Sequence, residues 1–395
     1  MTVTRKDLFH LPEGMIYLDG NSLGPLPKSV EGVLSSMVTD QWGAHLIKGW
    51  NIDDWMGQPM RVGNMVGRLV GAATDTITMG DTLSVKVYQA LSAAVQMRPD
   101  RKVILSDSGN FPSDLYMAQG LIGQLGQGHE LRVVDPLDVM DAITDEVVVV
   151  MLTQVDYRSG AVHDMAAITA KAHAAGAVMI WDLAHSAGAV PVDLEGCGCE
   201  FAVGCTYKYL NGGPGAPAFI YVRPDVIGDI QPALSGWLGH DAPFAFDLDY
   251  RPAMGIERMR VGTPPVLQLT ALESALAVWD GVSMQDLRAA SVQLTELFIR
   301  EVEARCPELT LFSPRDPALR GSQVSFAHDD GYAVMQALIA RDVIGDFRAP
   351  NLIRFGFTPL YIDDADVIGA VDILADILDN RIWDDPKYKA KSRVT

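Results

Sequence analysis

The chain is poor in cysteine, short of basic residues relative to acidic ones, and without a long apolar run. Its 395 residues include four cysteines, Cys197, Cys199, Cys205 and Cys306. The Cys197-Gly-Cys199 pair has no matching distant pair, so no zinc framework and no metal site is expected, and the thiols are read as reduced and mostly buried. Lysine and arginine number 31 against 50 acidic residues, a formal net charge of −19. A phosphate backbone must be met by clustered cations, and none cluster here, which excludes nucleic acid as partner. A small anion is not excluded, because one buried arginine or a helix N-terminus captures a carboxylate or phosphate locally. The apolar run in the middle of the chain, Val147 to Leu152, is too short to cross a bilayer. Met1-Thr-Val-Thr-Arg-Lys-Asp-Leu has no apolar stretch after its basic residues, as a secretory signal requires. A cytoplasmic protein without membrane association is expected.

What is present is an ordinary globular composition, 48% hydrophobic and 21% charged, in a chain longer than a single core usually supports. No internal repeat or low-complexity tract occurs. Between about residues 60 and 260, β-branched runs alternate with alanine-rich stretches, the pattern of parallel βαβ units covered on both faces. One unit reads in full: Val147 to Leu152 as strand, Asp164 as cap of a helix over Met165 to Ala175, Gly176 as its end, and Ala177 to Trp181 as the next strand. Residues 267 to 304 read mainly as helix, a connection out of the large domain. The remainder alternates strand and helix, a smaller α+β domain. The expected divisions are an N-terminal segment 1–55, a large domain 56–270 and a small C-terminal domain 271–395.

In open α/β sheets ligands bind beyond the carboxyl ends of the strands, so side chains just after strands come first. Asp182 follows Gly176 to Trp181, Lys208 follows Phe201 to Cys205, and Phe111 follows Lys102 to Ser106 after a short turn. Lys208 is either an exposed loop cation or an amine whose desolvation lowers its pKa and frees it to form a Schiff base with an aldehyde. Asp182 is either the cap of a helix starting near Ala184 or a buried carboxylate that needs a cationic partner. Together they suggest pyridoxal 5′-phosphate, whose aldehyde suits the lysine and whose pyridinium nitrogen suits the aspartate. Gly80-Asp-Thr-Leu-Ser84 precedes a helical stretch from Val85 to Val95. Its backbone N–H groups, with the Thr82 or Ser84 hydroxyl, form a candidate phosphate cradle.

Five segments then carry a resemblance: Tyr17-Leu-Asp-Gly-Asn-Ser-Leu-Gly-Pro-Leu-Pro27, Asn110-Phe-Pro-Ser-Asp114, Trp181-Asp-Leu-Ala-His-Ser-Ala-Gly188, Tyr207-Lys-Tyr-Leu-Asn-Gly-Gly-Pro-Gly215 and Ser235-Gly-Trp-Leu-Gly-His240. From about residue 8 to 378 the chain resembles the kynureninase family. The resemblance implies a pyridoxal-phosphate-dependent fold of the type I aminotransferase class, its N-terminal segment contributing to the small domain and the active site. It implies hydrolytic Cβ–Cγ cleavage of L-kynurenine to anthranilate and L-alanine, in tryptophan catabolism. By this resemblance Lys208 binds the cofactor and later moves the Cα proton, Asp182 pairs with the ring nitrogen, and Phe111 stacks on the ring. Pro112, Ser113 and Asp114 follow Phe111 in its motif, and Thr153 and His185 lie near the ring hydroxyl. Leu83, Ser84, Tyr207, Trp237 and Thr263 share the phosphate, the last two reaching in from the second subunit of a homodimer. Tyr207 doubles as a candidate proton relay to Cβ.

Arg354, in Asn351-Leu-Ile-Arg-Phe-Gly-Phe, matches the family's arginine for the substrate carboxylate, although a salt bridge to a core carboxylate would also account for it. His45, Trp50 and Trp55 are candidates for the aryl pocket, or simply core aromatics. Gly262-Thr263 stands where animal members carry Ser-Asn, a departure expected to favour kynurenine over its 3-hydroxy derivative, although activity on the latter stays open. Lys86 and Asp156 replace the usual asparagines. A desulfurase reading needs a catalytic cysteine on a mobile loop, and Cys306 before Pro307 at a helix exit does not suggest one. The same fold would also serve an aminotransferase, which passes the amine to a keto acid, or a regulator that binds a ligand without catalysis.

Overall fold

The computed structural model describes residues 3–390. Along the chain, β1 (Ile16–Tyr17) lies in the N-terminal segment. β2 (Ile77–Met79), β3 (Val103–Asp107), β4 (Glu130–Val134), β5 (Val147–Thr153), β6 (Val178–Asp182), β7 (Phe201–Gly204) and β8 (Phe219–Val222) make one seven-stranded sheet, in spatial order β2-β8-β7-β6-β5-β3-β4. From β4 across to β7 neighbours are parallel, and β8 runs antiparallel to both β7 and β2.

Continuous burial explains why β5 lacks the apolar–polar alternation of a half-exposed strand. Val150 and Leu152 point into the core shared with helices Met165–Ala174 and Val266–Leu276, whereas Val149 and Met151 point into the core shared with helices Leu83–Met97 and Pro112–Leu125. Each such side chain contributes about 1.5–3 kcal/mol on full burial. Helix Met165–Ala174 begins where the Asp164 carboxylate accepts the Ala167 N–H at 3.0 Å, and Gly176 leaves it at φ +78°. Helix Leu83–Met97 starts two residues before the expected Val85. Thr82 is its extended N-cap residue, and the Thr82 side chain makes no capping bond.

The C-terminal part holds β9 (Thr310–Leu311), β10 (Gln323–Ala327), β11 (Val343–Ile344), β12 (Asp346–Arg348) and β13 (Leu352–Gly356). β12-β13-β10-β9 form an antiparallel sheet, with helices Met284–Arg305 and Asp364–Asp379 packed on each other beside it. The N-terminal segment stitches the two parts together. β1 pairs with β11, the Leu18 carbonyl accepts the Gly356 N–H, and Gly24 N–H donates to the Tyr207 carbonyl at 2.8 Å. No helix among the described residues is long and apolar enough to cross a membrane.

The closeness of that stitch can be tested. A Cβ on Gly24 would lie 2.8 Å from Asn211 Cα and closer still to the Lys208 carbonyl oxygen, backbone atoms that no rotamer change can move. Gly24→Ala should cost about 1–3 kcal/mol in urea unfolding. Gly32→Ala, in a helix with open space at its Cβ, should instead be neutral or stabilise by up to about 1 kcal/mol.

Candidate active site

Parallel strands converge on a cavity of about 210 Å³. Thr153 ends β5 and Asp182 ends β6, while Lys208 stands four residues beyond the end of β7, and all three line the cavity. The helices that start after β2 and β3 bring Leu83, Ser84, Phe111, Ser113 and Asp114 to it. The first-turn N–H groups of both helices lack intrahelical partners and give that wall a positive potential. Ser84 Oγ and Ser113 Oγ are 2.9 Å apart, tying the two helix starts together. Thr82 does not line the cavity. Pro112 occupies the first position of helix Pro112–Leu125 and also lies off the wall, and of the Thr82 and Ser84 hydroxyls only that of Ser84 belongs to a cavity-lining residue.

Lys208 Nζ lies 2.9 Å from His185 Nε2, and His185 Nδ1 lies 3.0 Å from Gln323 Oε1. The Gln323 amide nitrogen donates to the carbonyls of Asp156 and Tyr157, both at 3.0 Å, so its oxygen must face the histidine. An amide oxygen only accepts, which puts the imidazole proton on Nδ1 and leaves the Nε2 lone pair for the lysine amine. Burial and then the Lys208 cation hold His185 neutral, well below its usual range.

Asp182 Oδ1 accepts the Ala184 N–H at 2.9 Å. The expected capping bond thus exists, but the segment after it runs as turns and not as helix. Burial raises Asp182 to about 6, with Lys208 and the Ala184 N–H pulling the other way. Asp114 is buried beside it. Desolvation and then the Asp182 charge push it well above the carboxylate range, and its Oδ2 has no hydrogen-bond partner among the described residues. Phe111, 43% exposed, meets Tyr157 edge-on at 5.2 Å between centroids. The Tyr207 ring centre is 5.8 Å from Lys208 Nζ, and the neighbouring Cys205 sulfur, with burial, raises its hydroxyl above the usual range.

Arg354 lines the cavity at 1% exposure, and it makes the salt bridge to a core carboxylate that its sequence context also allowed. Its Nε reaches Asp346 Oδ1 at 2.8 Å, its Nη2 reaches Asp346 Oδ2 and Ser22 Oγ, and its Nη1 reaches the Tyr157 carbonyl. Trp237 and Thr263 do not line the Lys208 cavity of their own chain. They line a second one, with Trp50, Ile47 and Phe244. His45 lines neither and pairs with Asp53 at 2.8 Å, and Trp55 is core, packed edge-on against Trp50. Lys86 is buried away from the cavity, its amine 3.0 Å from Gln89 Oε1 and 3.5 Å from Asp81 Oδ2. Burial lowers it to about 8. Asp156 closes a turn by accepting the Arg158 and Ser159 N–H groups.

Asn21, Ser22, Tyr157 and Arg348 also line the cavity, although sequence reasoning does not single them out, and Gln323 and Asp346 support it from behind. Ser22 sits inside the Tyr17 to Pro27 motif. Asp346 and Arg348, two apart on β12, share one face of a strand, which is the only sequence signal they carry. Cys306 is fully buried, and burial pushes its thiol up to about 11, which removes the nucleophile a desulfurase would need.

Solved structures define the class. The chain is similar to an apo cysteine desulfurase from Thermococcus onnurineus, with a TM-score of 0.80 at 17% identity over 95% of this chain and 98% of that one. A C-DES variant with glycine covalently linked to its PLP cofactor gives 0.81 at 18% identity, over 94% and 99%. The fold is that of the pyridoxal-phosphate-dependent aminotransferase and desulfurase class. Sequence narrows it further. A kynureninase from Pseudomonas fluorescens is 48% identical over 394 residues, 98% of this chain and 95% of that protein, and one from Burkholderia mallei is 47% identical over 99% and 95%. Residues 287–374 match the model of the kynureninase C-terminal domain. The chain belongs to the kynureninase family.

Asp182 gives a test of the site's electrostatics without turnover. Its carboxyl is raised from 3.8 to about 6, so the stability it contributes to cofactor-free protein is full below about pH 4 and lost as pH rises through about 6. Asp182→Asn removes this titration. In urea unfolding of cofactor-free protein, the variant should equal the parent near pH 4 and exceed it increasingly toward pH 7. A gap that shrinks with rising pH contradicts the assignment.

Proposed function

We infer that the chain is a pyridoxal-5′-phosphate-dependent hydrolase that cleaves the Cβ–Cγ bond of L-kynurenine, releasing anthranilate and L-alanine. The observation that carries this reading is the meeting of Lys208, Asp182 and Arg354 on one cavity in a chain 48% identical to a kynureninase. The residues present fit the cofactor. Asp114 Oδ2 is a buried oxygen without a partner, Asp182 is a buried carboxylate suited to a ring N–H, and the first-turn N–H groups at Leu83 and Ser84 suit a phosphate. Lys208 would hold the aldehyde, Phe111 would cover a ring face, and Thr153, His185, Ser113 and Asp114 would surround the ring's polar edge. When bound, the cofactor supplies the electron sink for deprotonation at Cα and for cleavage between Cβ and Cγ.

The chain's own residues do the rest. Arg354 draws the α-carboxylate toward the rim formed by Ser22 and Tyr157. Lys208, whose neighbour His185 is a neutral acceptor, serves as the amine that takes the Cα proton. Hydrolysis consumes one water at the γ-carbonyl, so Cβ must gain a proton once the bond breaks. Tyr207 keeps its proton at neutral pH and is our candidate donor. Near the aryl end, Gly262-Thr263 offers fewer polar groups than Ser-Asn, which favours kynurenine over 3-hydroxykynurenine.

We further infer a homodimer in the cytoplasm, in which Trp237 and Thr263 complete the partner's phosphate site and the segment with His45, Trp50 and Trp55 borders its aryl pocket. Supporting this, Ile47, Trp237 and Phe244, which line the second cavity, are exposed apolar side chains.

Wild-type holoenzyme mixed with L-kynurenine should develop anthranilate fluorescence, and Lys208→Ala should lose at least about 1,000-fold in kcat, as removal of a central catalytic group does. No anthranilate from wild type overturns the reading. Mixing Lys208→Ala with Trp237→Ala subunits should restore about a quarter of wild-type activity, because half of the random dimers are mixed and each carries one intact site. No recovery argues against sharing. Tyr207→Phe should lower kcat about 100-fold if the phenol donates the proton, and unchanged turnover removes it from that role.

A further inference from the structure

We propose that Arg348 is a second guanidinium for the substrate's α-carboxylate, making with Arg354 a two-arginine clamp in which Asp346 neutralises one of the two charges. This rests on the reading that an α-amino acid enters the Lys208 cavity. Four of the five N–H groups of Arg354 are already engaged, by Asp346, Ser22 and Tyr157. The Nε/Nη2 edge, the geometry that grips a carboxylate bidentately, is closed on Asp346. Arg354 therefore presents one free N–H, from Nη1, to a ligand. A substrate held by that group alone would be anchored at one point and free to swing, which a reaction at Cα does not tolerate.

Arg348 supplies what is missing. Asp346 lies directly across from Arg354 in the β12–β13 register, and Arg348, two residues on, projects from the same face of β12. It lines the same cavity with its side chain about one-third exposed. Only its Nη2 is engaged, to Asp346 Oδ2 at 2.6 Å and to Ser22 Oγ at 3.2 Å. Its Nε is buried and has no partner among the described residues. Its Nη1 makes no hydrogen bond among the described residues and is not sealed off as Nε is, so its two N–H groups stay open to an acceptor in the cavity.

The charge count agrees. Two arginines face one firmly ionised carboxylate, because burial, then the charge of Asp346, lifts the neighbouring Asp19 to about 7, while the arginines hold Asp346 below its usual value. Near neutral pH the two guanidinium charges therefore exceed the carboxylate charge beside them, which favours an incoming anion.

The test uses holoenzyme with L-kynurenine, with L-alanine as a product bearing the same carboxylate, and with the decarboxylated amine of kynurenine. Arg348→Gln should raise KM for L-kynurenine about 10- to 100-fold with kcat within about threefold, the size expected for a lost charge-assisted contact. The dissociation constant for L-alanine, read from the cofactor's absorbance, should rise in parallel. Affinity for the decarboxylated amine should not change, and Arg348→Lys should recover part of the loss. Unchanged KM and L-alanine affinity, or an equal loss with the decarboxylated amine, overturns the clamp. Should Arg348→Gln not fold, Arg348→Lys carries the test: an intermediate KM is expected, and an unchanged one overturns the proposal. Wild type that releases no anthranilate counts against the hydrolase reading, while L-alanine titration still decides for or against Arg348.

Discussion

The 2.9 Å bond between Lys208 Nζ and His185 Nε2 depends on atoms far from either residue. Gln323 on β10 presents its amide oxygen to His185 because its nitrogen is committed to the carbonyls of Asp156 and Tyr157. A reversed amide would face those carbonyls with an oxygen and force the imidazole proton onto Nε2, against the lysine's own hydrogens. The correct tautomer therefore requires β10, the turn after β5 and the loop after β6 to be in place together. Packing of the C-terminal sheet against the seven-stranded sheet sets the hydrogen-bonding state of the central lysine.

The carboxylates around that lysine obey the same constraint. Asp182 and Asp114 are buried within each other's field, and neither is stable as an anion beside the other without a cation. The lysine only partly compensates. A site that holds an unpartnered Asp114 oxygen and two elevated carboxyls is built to be completed by a donor-rich, cationic ligand, and this is why its ligand-free stability should respond to pH. On the opposite rim the imbalance has the reverse sign, with two arginines sharing Asp346. The cavity thus gathers two elevated carboxyls, Asp114 and Asp182, and two arginines on one set of walls, so its field is uneven and not of a single sign.

Much of this was legible in the chain itself. Val147 to Leu152, the Asp164 cap and the Gly176 exit needed only burial, capping and φ preferences, all local. Asp182, Lys208 and Phe111 stood out because a polar or aromatic group just after a buried strand has few structural reasons to be there. Gln323, Asp346 and Arg348 were not legible in that way. Their roles come from pairings between β12, β13 and β10 and from contacts across more than a hundred residues, and a glutamine or an arginine in a short strand has no distinctive local pattern. The early start of helix Leu83–Met97 was missed because Thr82 caps by backbone conformation rather than by its side chain. The reading of Trp237 and Thr263 as site residues rests on the family resemblance alone, since the cavity they line does not include the lysine.

Lys86 gains meaning from the same long-range view. A cation in the first turn of a helix opposes the dipole. The amine instead turns away from the cavity, toward Asp81, whose backbone sits at φ +56°, in the left-handed region tolerated by aspartate. It also donates to Gln89, whose amide nitrogen donates in turn to the Met259 carbonyl at 3.0 Å. Met259 lies four residues before Thr263. The lysine thus braces the turn before helix Leu83–Met97 and, through Gln89, connects it to the segment at Met259. A smaller asparagine at this position could not reach as far, so this departure bears on how that turn is held rather than on the charge at the cavity wall.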